Sequence, residues 1–161
     1  MGLSVRAQHW VAFFVCVALL AAAYYFQIVG KMEPCPLCIF QRVAVAALGL
    51  IFLAAALHSP KSWGLRVYGL LTVLAASLGG AVAGRHVWLM NLPKDEIPAC
   101  GPGLNYLLDT FPLGQVLETV LRGSGECAAN PWTLLGLSMP GWCLVFFVGL
   151  GLLGLWRLAG R

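Results

Sequence analysis

Charge is what this chain has least of. Of its 161 residues, 10 are Lys or Arg and 6 are Asp or Glu, 10% together, where a soluble domain carries about 25%. Acidic residues are missing before Glu33 and again after Glu126. With 60% hydrophobic residues and a mean hydropathy of +0.85, the composition excludes an ordinary water-soluble globular protein. The net charge is only +4 and the basic residues form no run, so the chain has no electrostatic footprint for nucleic acid. It also lacks any internal repeat or low-complexity segment. The environment left is a membrane.

From Ala7 to Gly30 there is no charged residue at all, about the length needed to cross a hydrocarbon core roughly 30 Å thick. Three more apolar stretches follow, and the spans are expected at about 9–29, 39–57, 65–88 and 140–157, in a single four-span domain covering 1–161. The tryptophans Trp10, Trp63, Trp88, Trp132, Trp142 and Trp156 fall at or near the ends of these segments, where their amphipathic rings suit the interfaces. Arg6 followed by an apolar run, with small residues at Ala21-Ala22-Ala23, has some features of a secretory signal. The run continues through Tyr24, Tyr25, Phe26 and Ile28, however, which is longer than the usual apolar region of about 7–15 residues. An uncleaved helix is therefore expected.

Four spans place both termini and the segment around His58 to Arg66 on one side. That side holds Arg6, Lys61, Arg66, Arg157 and Arg161 and no acid. The other side has as many basic residues, but those of the first lie in short segments beside the span ends, where the orientation rule counts them. The first side is expected to be cytoplasmic. The extracytoplasmic segments are then a short loop at about 30–38 and a long one at about 91–138, which carry nearly all the polar chemistry. Within the long loop Pro112 is placed to open a helix. Leu113, Val116, Leu117, Val120 and Leu121 recur there at helical spacing, with Gln115, Glu118, Thr119 and Arg122 opposite. Such a helix would lie on the membrane surface, and Gly123-Ser124-Gly125 would end it and free the segment that follows.

Six cysteines separate by position. Cys16 lies mid-span in the first helix and Cys143 near the outer end of the fourth; both read as small apolar packing residues. The other four, Cys35, Cys38, Cys100 and Cys127, fall in the two loops assigned to the same side. If the stretch 39–57 did not cross the membrane, the two loops would be on opposite sides and could never exchange a disulfide. Cys35-Pro36-Leu37-Cys38 stands where the loop meets the second helix, and a helix N-terminus favours the reactive thiolate. Arg42, one turn beyond Cys38, would favour it further through its fixed charge; the plainer role for Arg42 is an interfacial side chain reaching the headgroups.

Three chemistries compete for the four loop cysteines: structural disulfides, a tetrahedral zinc site, and a relay passing electrons by thiol–disulfide exchange. Zinc fits least well, because an extracytoplasmic compartment favours disulfides, no second C-x-x-C is present, and His9 and His58 are expected to face the cytoplasm. A structural bridge suits Cys100 and Cys127, which bracket the surface helix. It suits Cys35 and Cys38 poorly, since closing two intervening residues constrains almost no chain. A relay needs an acceptor that the bilayer can supply, for which a lipid-soluble quinone is the natural choice. Its site would lie at membrane depth beside the redox-active pair, with Arg42, Arg85 and His86 as candidate hydrogen-bond donors.

The run Cys35-Pro36-Leu37-Cys38-Ile39-Phe40-Gln41-Arg42 resembles the first-loop signature of the disulfide bond formation protein B (DsbB) family. Gln27 before the motif, His86 after the third span, Cys100 and Cys127 in the second loop, and Ser138-Met139-Pro140-Gly141-Trp142 at the start of the fourth helix agree with it, so the resemblance covers nearly the whole chain. It implies an all-α membrane protein: a four-helix transmembrane bundle in the bacterial inner membrane, with a short amphipathic surface helix in the second periplasmic loop. The activity implied is reoxidation of a soluble thioredoxin-fold dithiol oxidase, DsbA, with electrons passed to ubiquinone, or to menaquinone, and no metal.

By the same resemblance Cys100 is attacked by the partner's thiolate, and Cys127 leaves and then attacks Cys35. Cys38, released as a thiolate beside Arg42, donates to the quinone. Arg42 and His86 would flank the quinone ring, with Met139 in its apolar lining. Because DsbA is itself strongly oxidising, its oxidant must be stronger still, which excludes nicotinamides as acceptors. A relative dedicated to one specialised partner, of the DsbI type, remains open. So does a non-catalytic anchor or receptor with structural loop disulfides. A vitamin K epoxide reductase-like enzyme fits less well, since its C-x-x-C would follow the loop cysteines.

Overall fold

The computed structural model describes residues 4–32, 34–93, 95–99, 101, 104–128 and 133–159. Its four long helices are α1 (Val5–Ile28), α2 (Pro36–His58), α3 (Trp63–Met90) and α7 (Met139–Leu158), each apolar and long enough to cross a membrane. Three of them begin on a side chain able to accept a free first-turn N–H. The Ser4 hydroxyl accepts from Ala7 at 3.3 Å, the Cys35 sulfur from Cys38 at 3.4 Å, and the Ser138 hydroxyl from Gly141 at 3.3 Å. Pro36 and Pro140 occupy the first turn of α2 and α7, where a missing N–H costs nothing. The result is the expected all-α four-helix membrane protein, with short helices in the second loop.

Lipid takes the place of water around such a bundle, so its outer surface is apolar: Phe14, Leu50, Leu78 and Leu152 are all 60% exposed or more. Packing inside relies on close approach of small residues. A Cβ on Gly79 would sit 2.4 Å from Phe147 Cε1, and Gly69 and Gly154 bring the backbones of α3 and α7 together. The central cluster is Cys16, Val45, Leu48, Phe52, Ala76, Ala83 and Phe147. Cys16 is fully buried there as a packing residue. His9, expected on the cytoplasmic side, turns its ring into the bundle and lies 5% exposed near Phe52. The helix has only one side out of lipid, and that side is the bundle.

At 28 residues α3 is about 42 Å long, more than a hydrocarbon core of roughly 30 Å requires. The second loop packs on its last turns, through Arg85, His86 and Leu89. That loop forms α4 (Leu104–Thr110), α5 (Leu113–Arg122), α6 (Gly125–Ala128) and a hairpin of β1 (Thr133–Leu134) with β2 (Leu137–Ser138). Trp142 of α7 secures the hairpin by donating its Nε1–H to the Leu134 carbonyl at 3.0 Å.

Helix α5 occupies the segment expected from its periodicity, but its apolar stripe is divided. Val116 and Val120 are buried in a second cluster with Cys35, Leu37, Leu89, Leu107 and Cys127. Leu113, Leu117 and Leu121 point outward, 77%, 46% and 42% exposed. One flank of the stripe thus holds the helix to the bundle, and the other is left as an apolar surface. Gly123 ends α5 at φ 83°, and a Cβ there would meet Leu89 Cδ1 at 2.2 Å. Only glycine fits this corner, which turns the chain back toward α3.

Candidate functional site

Cys35 is held by the first turn of α2. Its backbone is extended, its sulfur caps the N–H of Cys38, and its Sγ stands 3.1 Å from Cys38 Sγ. Cys127 reaches the same place from the second loop. Its N–H donates to the Ser124 carbonyl at 2.9 Å, and its sulfur lies 3.8 Å from the Ser124 hydroxyl. The sulfurs of Cys35 and Cys127 and a ring nitrogen of His86 all fall within 4.8 Å of one another. Residues 92 positions apart in the chain therefore meet at one site. Cys35 is 8% exposed and Cys127 1%.

The hydrogen bond from the Cys35 thiol brings the Cys127 thiol down to about 6 from an ordinary 9.0; burial opposes this, and the Ser124 backbone and hydroxyl assist it. Cys35 moves the opposite way, raised by its hydrogen bonds to Cys127 and then Cys38, and by burial. Of these two, Cys35 is the one that holds its proton and Cys127 the one that ionises more readily. A thiolate is the nucleophilic form of cysteine, so with both cysteines reduced Cys127 is the more reactive of the two.

Cys35, Cys38, Arg42, His86 and Met139 all line one cavity of about 840 Å³ between α1, α2, α3 and α7. Its walls are otherwise largely apolar, with Leu19, Phe26, Val45 and Phe146 among them. An apolar chamber with a few convergent donors is the usual form of a site for a small hydrophobic molecule, and a quinone fits that description. Arg42 does not reach toward Cys38 as its spacing suggested. It hydrogen-bonds the Gln27 side chain and donates to the Ala23 carbonyl at 3.1 Å, with its guanidinium 5.1 Å from the Tyr24 ring centre. A long side chain on α2 is drawn across to α1 because α1 offers it two acceptors. With five N–H donors it still has some to offer an acceptor in the cavity.

The group beside the sulfurs is His86, 1% exposed. Its Nε2 lies 3.8 Å from Cys35 Sγ and 3.1 Å from the Cys127 carbonyl, and its Nδ1 lies 3.0 Å from Gln41 Nε2. Arg85, the other donor considered at this end of α3, turns away from the cavity. It donates to the carbonyls of Leu121 at 3.0 Å and Arg122 at 2.9 Å, with its guanidinium 4.1 Å from the Trp88 ring centre. Successive helix positions point about 100° apart, so the two neighbours cannot serve the same pocket. Arg85 instead caps the C-terminus of α5, where unpaired carbonyls attract a cation.

Cys100 lies outside the described residues. Of its neighbours, Ala99 accepts a hydrogen bond from Gly125 N–H at 3.4 Å, and a Cβ on Gly101 would stand 3.6 Å from Ser124 Cβ. Both flanks of position 100 are therefore beside the segment that carries Cys127. Two contributors were not foreseen as such. Cys143, read as a packing residue, lines the cavity. Gln41, 4% exposed, is the partner of His86; an amide beside Arg42 in a largely apolar helix was the signal available in the sequence.

The sequence model described as disulfide bond formation protein DsbB matches residues 5–157. Curated relatives named disulfide bond formation protein B include one from Nitrosococcus oceani, 57% identical over 98% of this chain and 94% of its own length. Others come from Methylococcus capsulatus, 55% identical over 92% and 90%, and Marinobacter nauticus, 51% identical over 92% and 89%. With four helices able to span a membrane and cysteines from two loops gathered at one end, this chain belongs to the DsbB family of disulfide bond formation proteins.

Proposed function

We propose that this protein is a protein dithiol:quinone oxidoreductase of the bacterial inner membrane. It reoxidises a periplasmic DsbA-like thioredoxin-fold oxidase and passes the electrons to the membrane quinone pool. The basic residues beside the span ends support cytoplasmic termini, with the cysteine-bearing end of the bundle in the periplasm. The observation that carries the proposal is the meeting of Cys35 and Cys127 at the edge of an apolar chamber that also holds Cys38.

The relay balances as follows. A thiolate of the reduced partner attacks Cys100 in a Cys100–Cys127 bond, forming a partner–Cys100 disulfide and releasing Cys127 as thiolate. Cys127 attacks Cys35, forming Cys35–Cys127 and breaking Cys35–Cys38, with the electron pair left on Cys38. The partner's second thiolate closes its own disulfide and frees Cys100, which then attacks Cys127 and releases Cys35. Two electrons now reside on Cys35 and Cys38, and the Cys100–Cys127 bond is restored. A quinone in the chamber, ubiquinone or menaquinone, supplies the acceptor for those two electrons and the accompanying protons. Cys38, Arg42, His86 and Met139 would hold it, with Arg42 as a fixed cationic donor.

A metal site is the second reading, because Cys35, Cys127 and His86 bring three ligand atoms together. Against it, His86 has both ring nitrogens engaged, one by Gln41 and one by the Cys127 carbonyl. A ligating nitrogen must instead present a bare lone pair to the metal.

The test is quinone reduction by the purified protein in detergent, followed by ultraviolet absorbance after adding reduced DsbA-like partner. Turnover is expected in the wild type and absent in Cys38→Ser. A folded, disulfide-bearing protein that turns over no quinone with such a partner refutes the proposal. Stoichiometric zinc in the purified protein would favour the metal site instead.

A further inference from the structure

Gln41 on α2 and His86 on α3 form a buried pair whose second ring nitrogen is spent on the backbone of the second loop. Gln41 Nε2 lies 3.0 Å from His86 Nδ1, and His86 Nε2 lies 3.1 Å from the carbonyl of Cys127. Both side chains are almost fully enclosed, at 4% and 1% exposure. A neutral imidazole has one N–H and one bare nitrogen. When the amide of Gln41 donates to Nδ1, the ring hydrogen must sit on Nε2, which is the nitrogen facing the carbonyl. The other tautomer would set a bare nitrogen against a carbonyl oxygen, two lone pairs with no proton between them.

We propose that Gln41 is a positioning residue: by fixing the Nε2–H tautomer of His86, it makes that ring a latch that docks the Cys127 backbone and so delivers the Cys127 sulfur to Cys35. The inference rests on the relay proposed above and adds to it a reason why a short, glycine-flanked segment stops at Cys35. The helix bearing Cys127, α6, has only four residues. It begins at Gly125, directly after Gly123-Ser124, and cannot hold its own orientation by helical hydrogen bonding. Its placement must come from outside. The His86 donor supplies it from the rigid end of α3, and the same ring stands 3.8 Å from the Cys35 sulfur. One side chain therefore registers both reacting cysteines, and Gln41 acts only through it.

The test uses the full chain with Cys38→Ser and Cys100→Ser, equilibrated in glutathione redox buffer. Cys35 and Cys127 lose two electrons and two protons to oxidised glutathione, giving the Cys35–Cys127 disulfide and two reduced glutathiones. The effective concentration of the two thiols measures docking directly. Gln41→Met, nearly isosteric and without the amide, is expected to lower it about tenfold, a factor equal to about 1.4 kcal/mol. His86→Phe is expected to lower it at least as far, and the double variant no further than His86→Phe alone. Nitrogen-15 spectra of histidine-labelled protein, needing no substitution in the pair, should show His86 protonated at Nε2 and bare at Nδ1. A ring protonated at Nδ1 alone, an effective concentration within twofold of wild type in Gln41→Met, or additive losses in the double variant would overturn the proposal. Normal docking in a protein that reduces no quinone would leave the latch intact and refute the relay.

Discussion

Lowering the Cys127 thiol has a measurable consequence that runs in opposite directions on the two sides of neutrality. Cys35→Ala removes the hydrogen bond that contributes most to bringing that thiol down to about 6, and Cys127 should return toward its ordinary 9.0. At pH 7 the thiolate fraction would drop from about 90% to about 1%, roughly a 90-fold loss. Each thiolate would at the same time become more nucleophilic. With a Brønsted slope of about 0.45, a three-unit rise strengthens it about 20-fold. The two effects leave the wild type about 4-fold faster at pH 7 and about 35-fold faster at pH 5.5, yet about 10-fold slower at pH 9, with the curves crossing near about pH 7.7.

The assay is iodoacetamide alkylation of the reduced protein across this range, with Cys127 resolved by peptide mass spectrometry. Burial slows attack without moving the midpoint of the pH profile, so the midpoint is the quantity to read. A wild-type midpoint at 8.5 or above, or profiles of wild type and Cys35→Ala that run parallel without crossing, would refute the assignment of the charge to Cys127.

Three further predictions concern how the site is held. Arg85→Ala removes two charge-assisted hydrogen bonds at the end of α5, each worth about 1.5–3 kcal/mol. Tryptic cleavage after Arg122 should accelerate at least tenfold while the long helices stay protected, and an unchanged rate would show that α5 is held by its valines alone. Gly123→Ala places a Cβ at a positive φ and 2.2 Å from Leu89 Cδ1, at a cost of about 1–3 kcal/mol; faster amide hydrogen exchange in α5 and α6 is the expected readout. Gly79→Leu drives a side chain into Phe147, whereas Gly84 has nothing within 4 Å of its would-be Cβ. The first should lower the thermal midpoint in detergent by the equivalent of about 1–3 kcal/mol or more, and Gly84→Leu should leave it nearly unchanged.

The four membrane helices were legible because the bilayer imposes a length and a composition on each one separately. No knowledge of its neighbours is needed. Local chemistry also announced the start of α2 at Cys35-Pro36, the helix over Leu113–Arg122 and the turn at Gly123. Pattern and topology assigned Cys35, Cys38, Cys100 and Cys127 to one side of the membrane. What they could not supply was direction. Arg42 and Cys38 are one turn apart on α2, yet Arg42 bonds to Gln27 and Ala23 on α1. Arg85 and His86 are adjacent in sequence, yet one caps α5 and the other meets two cysteines. A long polar side chain goes to whichever acceptors the neighbouring helix presents, and those acceptors are known only once the helices are packed. The same holds for Gln41, whose amide has meaning only beside a histidine 45 residues away. Sequence by itself determined which segments cross the membrane and which residues could carry the chemistry. Tertiary structure decided which of them touch, because hydrogen bonds between helices depend on contacts that no local pattern encodes.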